Sequence, residues 1–238
     1  MIMLTPRRTY FTVPIPMNTI VLDIGGSALK IWTPGSTKSI KIETGDDFSG
    51  GDFVRTVRET LGDSPVDRIS IGYPGLVRWG RPVEEPVNLG GGWVDLDYAQ
   101  EFDCPVRILN DADMQALGGY AGGRMLYLGL GTGVGTSLVV DGVISPLALG
   151  LLPFKDGKRF DEFLTKEALE RIGLKQWREA VAETAALFKD AMLADYVLLG
   201  GSGAERFETI PPGCRRGSNA NAYFGGLRMW EDYRAVAT

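Results

Sequence analysis

Hydrophobic and polar residues along the chain follow two periods, and the switches between them outline the secondary structure. Ile20 to Ile24 and Leu29 to Trp32 read as two strands joined by a short glycine turn, and "KSIKIET" continues as a third. "DFVRTVRETLG" has the 3.6-residue spacing of a helix that ends at Gly62. "DRISIGYPGLV" is a strand broken at Pro74 and Gly75. Residues 78–93, "RWGRPVEEPVNLGGGW", are too rich in glycine and proline for regular structure and long enough to be a functional loop. A short helix, "DLDYAQEF", and a strand, "PVRIL", follow.

After "NDADMQALGGYAGG" the pattern starts again. "MLYLGLG", "GTSLVV" and "VISPL" are strands, the last two joined by a hairpin turn at Asp141 and Gly142. Residues 160–193 are helical, with Trp177, Val181, Thr184, Phe188 and Met192 on one face. "DYVLLGGSG" is a late strand running into a glycine loop, and "NAYFGGLRMWEDYR" is a closing helix. This order predicts an α/β protein with mixed sheets. Two halves that open alike suggest an internal duplication.

Composition narrows the function. The 238 residues, 44% of them hydrophobic, can bury a core as one large domain or two small ones. A net charge of -5 offers no general attraction to nucleic acid or to an anionic membrane, and no window is apolar enough to span a bilayer. The chain has no histidine, which excludes His-dependent triads, and only two cysteines, Cys104 and Cys214. A zinc site would therefore need at least two carboxylates, and the cysteines read as reduced thiols of a cytoplasmic protein. Residues 1–17 read as an unstructured lead-in. Arg7 and Arg8 faintly suggest an export signal, but the stretch is short and carries Pro14 and Pro16, so the true start is as well placed at Met17.

Four polar or glycine-rich sites fall at strand ends, where ligands of α/β sheets collect: Asp23 to Lys30, Gly72 to Gly75, Asn110 to Asp113, and Gly129 to Gly133. Asp23 is a charge at the end of a buried run and needs a cation or a polar ligand to face. Gly25 and Gly26 leave backbone amides open to an anion, Ser27 adds a hydroxyl, and Asp23 could hold a Mg²⁺-bound water beside a phosphate. Gly131, Thr132 and Gly133 form a second such loop. Gly200 and Gly201 form a third cluster, whose flat backbone suits a nucleobase or sugar. Each has a turn-only explanation. Asn110 and Asp111 cap a helix, and a cap leaves one carboxylate oxygen free for chemistry.

In order and spacing, "DIGGSALK", "GYPGLV", "VNLGGGW", "PVRILNDADMQALG", "GTGVGTSLVVDG" and "VLLGGSG" resemble the ROK family of sugar kinases and repressors, within the actin-like ATPase superfamily. The resemblance runs from about Asn18 to Trp230 and is greatest to the polyphosphate glucokinase branch. It implies two RNase H-like lobes around an interlobe cleft, residues 18–111 and 112–219, with a helix at 220–235 returning to the first. It implies Asp111 as catalytic base, Gly75, Asn88 and Asn110 as sugar contacts, and Asp23, Ser27, Lys30, Thr132 and the glycines as the phosphate and nucleotide site. ATP or polyphosphate would be the donor, with Mg²⁺ and without zinc. The partner would be a small sugar or polyol, not nucleic acid or membrane, in a protein that can form a homodimer.

One stretch departs from the pattern. The family's Glu-Leu-Gly-His, whose ends hold sugar hydroxyls, is replaced by Ala148 and Leu151 in "PLALGLLPF". Either these two make an apolar acceptor wall, or the loop packs elsewhere and Glu84, Glu85 or Asp156 supplies a carboxylate. A non-catalytic sensor or scaffold that binds nucleotide or sugar is the alternative to a kinase.

Overall fold

Two sheets open with the same device, an antiparallel meander of three strands. The computed structural model describes residues 17–36, 38–218 and 220–231, so the lead-in up to residue 16 and the part of the expected 220–235 helix beyond 231 lie outside the described residues, and within them that helix spans only Asn221–Arg228. The first meander is β1 (Thr19–Ile24), β2 (Ala28–Trp32) and β3 (Ile40–Glu43). β4 (Arg68–Tyr73) and then β7 (Val106–Asn110) add in parallel to the β1 side, giving the order β3-β2-β1-β4-β7. The second sheet repeats this with β8 (Arg124–Leu130), β9 (Val134–Val140) and β10 (Val143–Leu147), followed by parallel β11 (Tyr196–Gly200) and β12 (Cys214–Arg216), in the order β10-β9-β8-β11-β12. The duplication expected from the repeating pattern is thus present in the topology.

Helix α1 (Gly50–Leu61) begins at a capping box in which Ser49 and Asp52 satisfy each other's backbone amides, and it ends at Gly62 as its spacing predicts. Its buried face, Phe53, Val54, Val57 and Leu61, packs with Trp93 on the first sheet. Helix α2 (Tyr98–Phe102) covers the same core.

Two expectations change. The loop at residues 78–93 contains part of a two-stranded ribbon, β5 (Val77–Arg78) and β6 (Arg81–Pro82), turned at Trp79 and Gly80, both in the left-handed region (φ 49° and 73°). The helical block at 160–193 is three helices, α4 (Asp161–Leu164), α5 (Lys166–Ile172) and α6 (Leu174–Ala191). Thr165 caps α5 through its side chain, and Gly173, at φ 80°, turns the chain before α6. Trp177, Val181, Thr184 and Phe188 are buried on one face of α6 as their spacing requires, whereas Met192 lies past its end. Among the described residues no helix is long and apolar enough to cross a membrane.

A third core joins the sheets. Helices α3 (Asp111–Gly119) and α7 (Asn221–Arg228) contribute Met114, Leu117 and Ala222 to a cluster with Val21 and Trp32 of the first sheet and Met125, Tyr127 and Leu198 of the second. The two helices meet backbone to backbone. A methyl group on Gly118 would overlap the Asn221 carbonyl oxygen, and one on Gly225 would overlap that of Met114. Cations then hold the carbonyl ends: Arg228 donates to Leu117 and Gly118 in the last turn of α3 and to Tyr120 just past it, and Arg107 of β7 donates to Met229 past the end of α7.

Gly225→Ala is therefore expected to destabilise the protein by about 1–3 kcal/mol, lowering Tm by roughly 2–12 °C, because the two backbones must separate to admit the methyl group. Thermal and urea unfolding of the variant check this; a Tm within error of the parent would mean that the crossing is looser than its geometry.

Candidate active site

The carboxyl ends of β1, β4, β7 and β8 point their loops at one cavity of about 590 Å³. The β1–β2 turn brings Gly25, Gly26 and Ser27 to one wall, and the β8–β9 turn brings Gly131, Thr132 and Gly133 to another. The first is also a tight hairpin turn, closed by the Gly25 amide on the Ala28 carbonyl at 2.9 Å. The Ser27 and Thr132 hydroxyls have no partner within the described protein and remain available as donors. Gly75, Asn88, Asn110, Asp111 and Gly201 complete the predicted residues on the wall.

Asp23 and Lys30 are not part of that wall. They are cross-strand neighbours on β1 and β2, joined by a 2.8 Å ion pair, with Asp23 only 4% exposed. The buried charge at the strand end is balanced by a lysine of the same hairpin, and the second Asp23 oxygen has no partner among the described residues. Gly200 is also off the wall. The position its Cβ would take is filled by the Tyr127 ring, so a side chain there would displace a buried phenol.

Asn110 caps α3. Its Oδ1 accepts from the amides of Ala112 (2.9 Å) and Asp113 (3.4 Å), and its Nδ2 donates to the carbonyls of Gly75 (3.0 Å) and Tyr73 (3.3 Å). Both ends of the amide are thus used to tie the β4 and β7 ends to the first turn of the helix. Asp111 begins that turn. Its Oδ1 accepts from the Ala112 amide at 2.9 Å, which fixes the rotamer and leaves Oδ2 open. Burial, then the nearby Asp23 charge, push the Asp111 carboxyl up to about 7; Asp113 adds to the rise and the Ala112 amide opposes it. A carboxylate poised near neutrality on a cavity wall can accept a proton from a bound hydroxyl.

Tyr127 and Gln115 were not legible in the sequence, which also did not show what Asp113, within the Asn110–Asp113 span, would contact. Asp113, 4% exposed, accepts a short hydrogen bond from the Ser137 hydroxyl of β9, which anchors the first turn of α3 to the strand leaving the Gly131–Gly133 turn. Burial pushes Asp113 up to about 6, with the Ser137 hydroxyl opposing the rise. Tyr127 is buried between the sheets and stays a neutral phenol, raised by burial and by the Asp111, Asp23 and Asp113 charges. Gln115 lines the cavity, and its position four residues after Asp111 is the signal that could have found it.

Neither Ala148 nor Leu151 lines the cavity. Leu149 and Gly150 turn inward, with the Leu149 amide on the Thr136 hydroxyl at 3.1 Å, while Ala148 and Leu151 face outward, Leu151 being 57% exposed. The apolar acceptor wall is thus not formed by these two residues. Glu84, Glu85 and Asp156 are off the wall as well; Glu85 instead accepts from the Trp93 and Val94 amides and holds its own loop together. No cluster of three or more Cys, Asp or Glu side chains that could by itself hold a metal occurs among the described residues.

No family sequence model matches the chain, and no curated protein sequence matches it significantly. Solved structures do. The inorganic polyphosphate/ATP-glucomannokinase of Arthrobacter sp. strain KM superposes with a TM-score of 0.73 at 19% identity, over 88% of this chain and 96% of its own. The fold is that of the ROK sugar kinases. A ROK glucokinase from Streptomyces griseus, solved with glucose and AMPPNP, gives a TM-score of 0.71 at 14% identity over 87% of this chain and 97% of its own. A ROK transcriptional regulator, a homologue of the E. coli Mlc protein, gives 0.68 at 14% identity over 88% of this chain and 76% of its own. At such identities the ROK likeness is one of architecture.

The raised carboxyls make a stability prediction. Between about pH 4 and 7 native Asp111 holds a proton that the unfolded chain has lost, so this group's contribution to stability rises as pH falls through that window and is unfavourable above it. Asp111→Asn keeps the bond from the Ala112 amide and removes the charge. Its Tm should exceed that of the parent by roughly 2–8 °C at pH 8, about 1–2 kcal/mol, and the difference should vanish near pH 4. Parallel melting curves across pH measure it; an equal Tm at pH 8 would place Asp111 in a wetter site.

Proposed function

We propose that this protein is a phosphotransferase that moves a phosphoryl group from ATP or polyphosphate to a hydroxyl of a sugar or polyol, with Asp111 as base. In this reading residues 18–111 and 112–219 form two RNase H-like lobes, and the cavity is the cleft between them. A single observation carries it: a carboxylate raised to about 7 stands on the same wall system as two glycine turns, each bearing an open hydroxyl donor.

Phosphoryl transfer needs positioning and charge neutralisation more than covalent help from the protein. The amides around Gly25–Ser27 and Gly131–Gly133, with the Ser27 and Thr132 hydroxyls, suit phosphoryl oxygens. Oδ2 of Asp111 accepts the hydrogen bond of the acceptor hydroxyl and takes its proton as the new O–P bond forms. Asn110 acts here as a positioning residue, since its amide is fully engaged within the protein. A hydrated Mg²⁺, a hard cation that needs few carboxylates beside phosphate oxygens, suits such a site, and Asp23, off the cavity wall and paired with Lys30, would act on it only through a water. When bound, that ion neutralises the phosphate charge. Nothing in the donor set suits zinc.

The likeness to a glucomannokinase and a glucokinase supports this reading. The likeness to a transcriptional regulator supports the second one, a non-catalytic sensor of sugar or nucleotide. A coupled assay of sugars and polyols with each donor and Mg²⁺ separates them. The kinase reading expects turnover that Asp111→Asn lowers by roughly 10²- to 10⁴-fold, and a kcat/KM that declines about tenfold per pH unit below about 7. Binding of glucose or nucleotide without transfer from either donor would favour the sensor.

A further inference from the structure

The hydrogen-bonding capacity left open in the cavity is unevenly placed. Asn110 has none, and the Ser27 and Thr132 hydroxyls lie on the glycine turns. Beyond those hydroxyls three polar side chains remain: Asp111 through Oδ2, Asn88, and Gln115. Asn88 faces the β1–β2 turn, its Cβ 3.4 Å from where a Cβ on Gly26 would lie. Gln115 stands one helical turn after Asp111 on the same face of α3.

Gln115 is oriented by Tyr127, whose hydroxyl donates to Oε1 at 2.8 Å. Tyr127 is 1% exposed and has one hydroxyl proton, which needs an acceptor. A carboxamide satisfies it only by presenting its oxygen, so the NH₂ of Gln115 is turned away from Tyr127. No group among the described residues accepts from that NH₂, and the cavity lies beside it. The Tyr127 ring packs on Gly129 and Gly200, in the space that side chains there would take. The surroundings are acidic as well: Asp23, Asp111 and Asp113 lie nearby, and of these only Asp23 has a cationic partner among the described residues. The phosphate donor meets the amides of the glycine turns, whereas an anionic acceptor held on Asp111 would meet carboxylates and the donor's own charge.

We propose that Gln115 determines acceptor specificity: clamped through Oε1 by Tyr127, it donates from Nε2 to an oxygen of an uncharged, hydroxyl-rich acceptor whose reacting hydroxyl lies on Asp111. This rests on the kinase reading and narrows it. Two carboxamides, Gln115 and Asn88, then grip the acceptor in a cavity that Ala148 and Leu151 do not reach.

Two measurements test it. With D-glucose and sorbitol as acceptors, Gln115→Ala and Gln115→Glu, the latter keeping the bond to Tyr127 but unable to donate, should each raise acceptor KM about tenfold, the loss of one hydrogen bond, and leave donor KM unchanged. Unchanged acceptor KM in both variants, or an equal rise in donor KM, would overturn the proposal. In ¹⁵N-labelled wild-type protein the Gln115 side-chain NH₂ signals, assigned by their loss in Gln115→Ala, should move on titration with D-glucose or sorbitol and stay in place with inorganic phosphate. This readout does not need turnover. If no donor supports transfer, the kinase reading fails while a sugar-dependent shift still upholds Gln115 as a ligand contact; no shift with either probe refutes it.

Discussion

The crossing of α3 and α7 is the constraint on which the site depends. Helix α3 starts at the end of β7 in the first sheet and lays its first turn on β9 of the second, so whatever fixes α3 fixes Asp111 relative to both glycine turns. Bare backbone at Gly118 and Gly225 lets α7 approach closely enough to pin it, and Arg228 and Arg107 hold the two carbonyl ends. Packing without side chains tolerates little slack, since van der Waals contact is lost within a fraction of an ångström.

That rigidity opposes an electrostatic strain. Asp23, Asp111 and Asp113 are carboxylates gathered in one region, and burial raises Asp111 and Asp113 toward protonation. Each is retained by a different device: Asp23 by an ion pair with Lys30, Asp113 by the Ser137 hydroxyl, Asp111 by the Ala112 amide. Burial and the Asp23 charge outweigh the amide, which leaves Asp111 raised above Asp113 and ready to exchange a proton. The Asp113 bond also reaches the strand that leaves the second glycine turn, so charge placement and loop placement are coupled.

The same economy governs the cavity wall. Asn110 uses its whole amide to join β4, β7 and α3, and Gln115 uses half of its own on Tyr127. Side chains held by one end present the other in a fixed direction, and such preorganisation gives a site selectivity without additional charge.

Period and punctuation in the sequence determined most of the elements, the paired meanders and the strand ends where ligands gather, because alternation, helical spacing and glycine turns are local properties of the chain. The capping residue Asn110 and the stop at Gly62 were legible for the same reason, whereas the Ser49 cap of α1 came only with the structure. Tertiary structure alone decided which polar residues share a wall. Lys30 turned from a site residue into the partner of Asp23 because strand register sets them side by side, and Gly200 became a seat for Tyr127 because parallel pairing brings it to Gly129. Gln115, Tyr127 and the Asp113–Ser137 bond join residues 12 to 24 positions apart, and no local pattern records which of them meet. The outward turn of Ala148 and Leu151 follows from Leu149 and Gly150 packing inward, a choice made by the core and not by the motif.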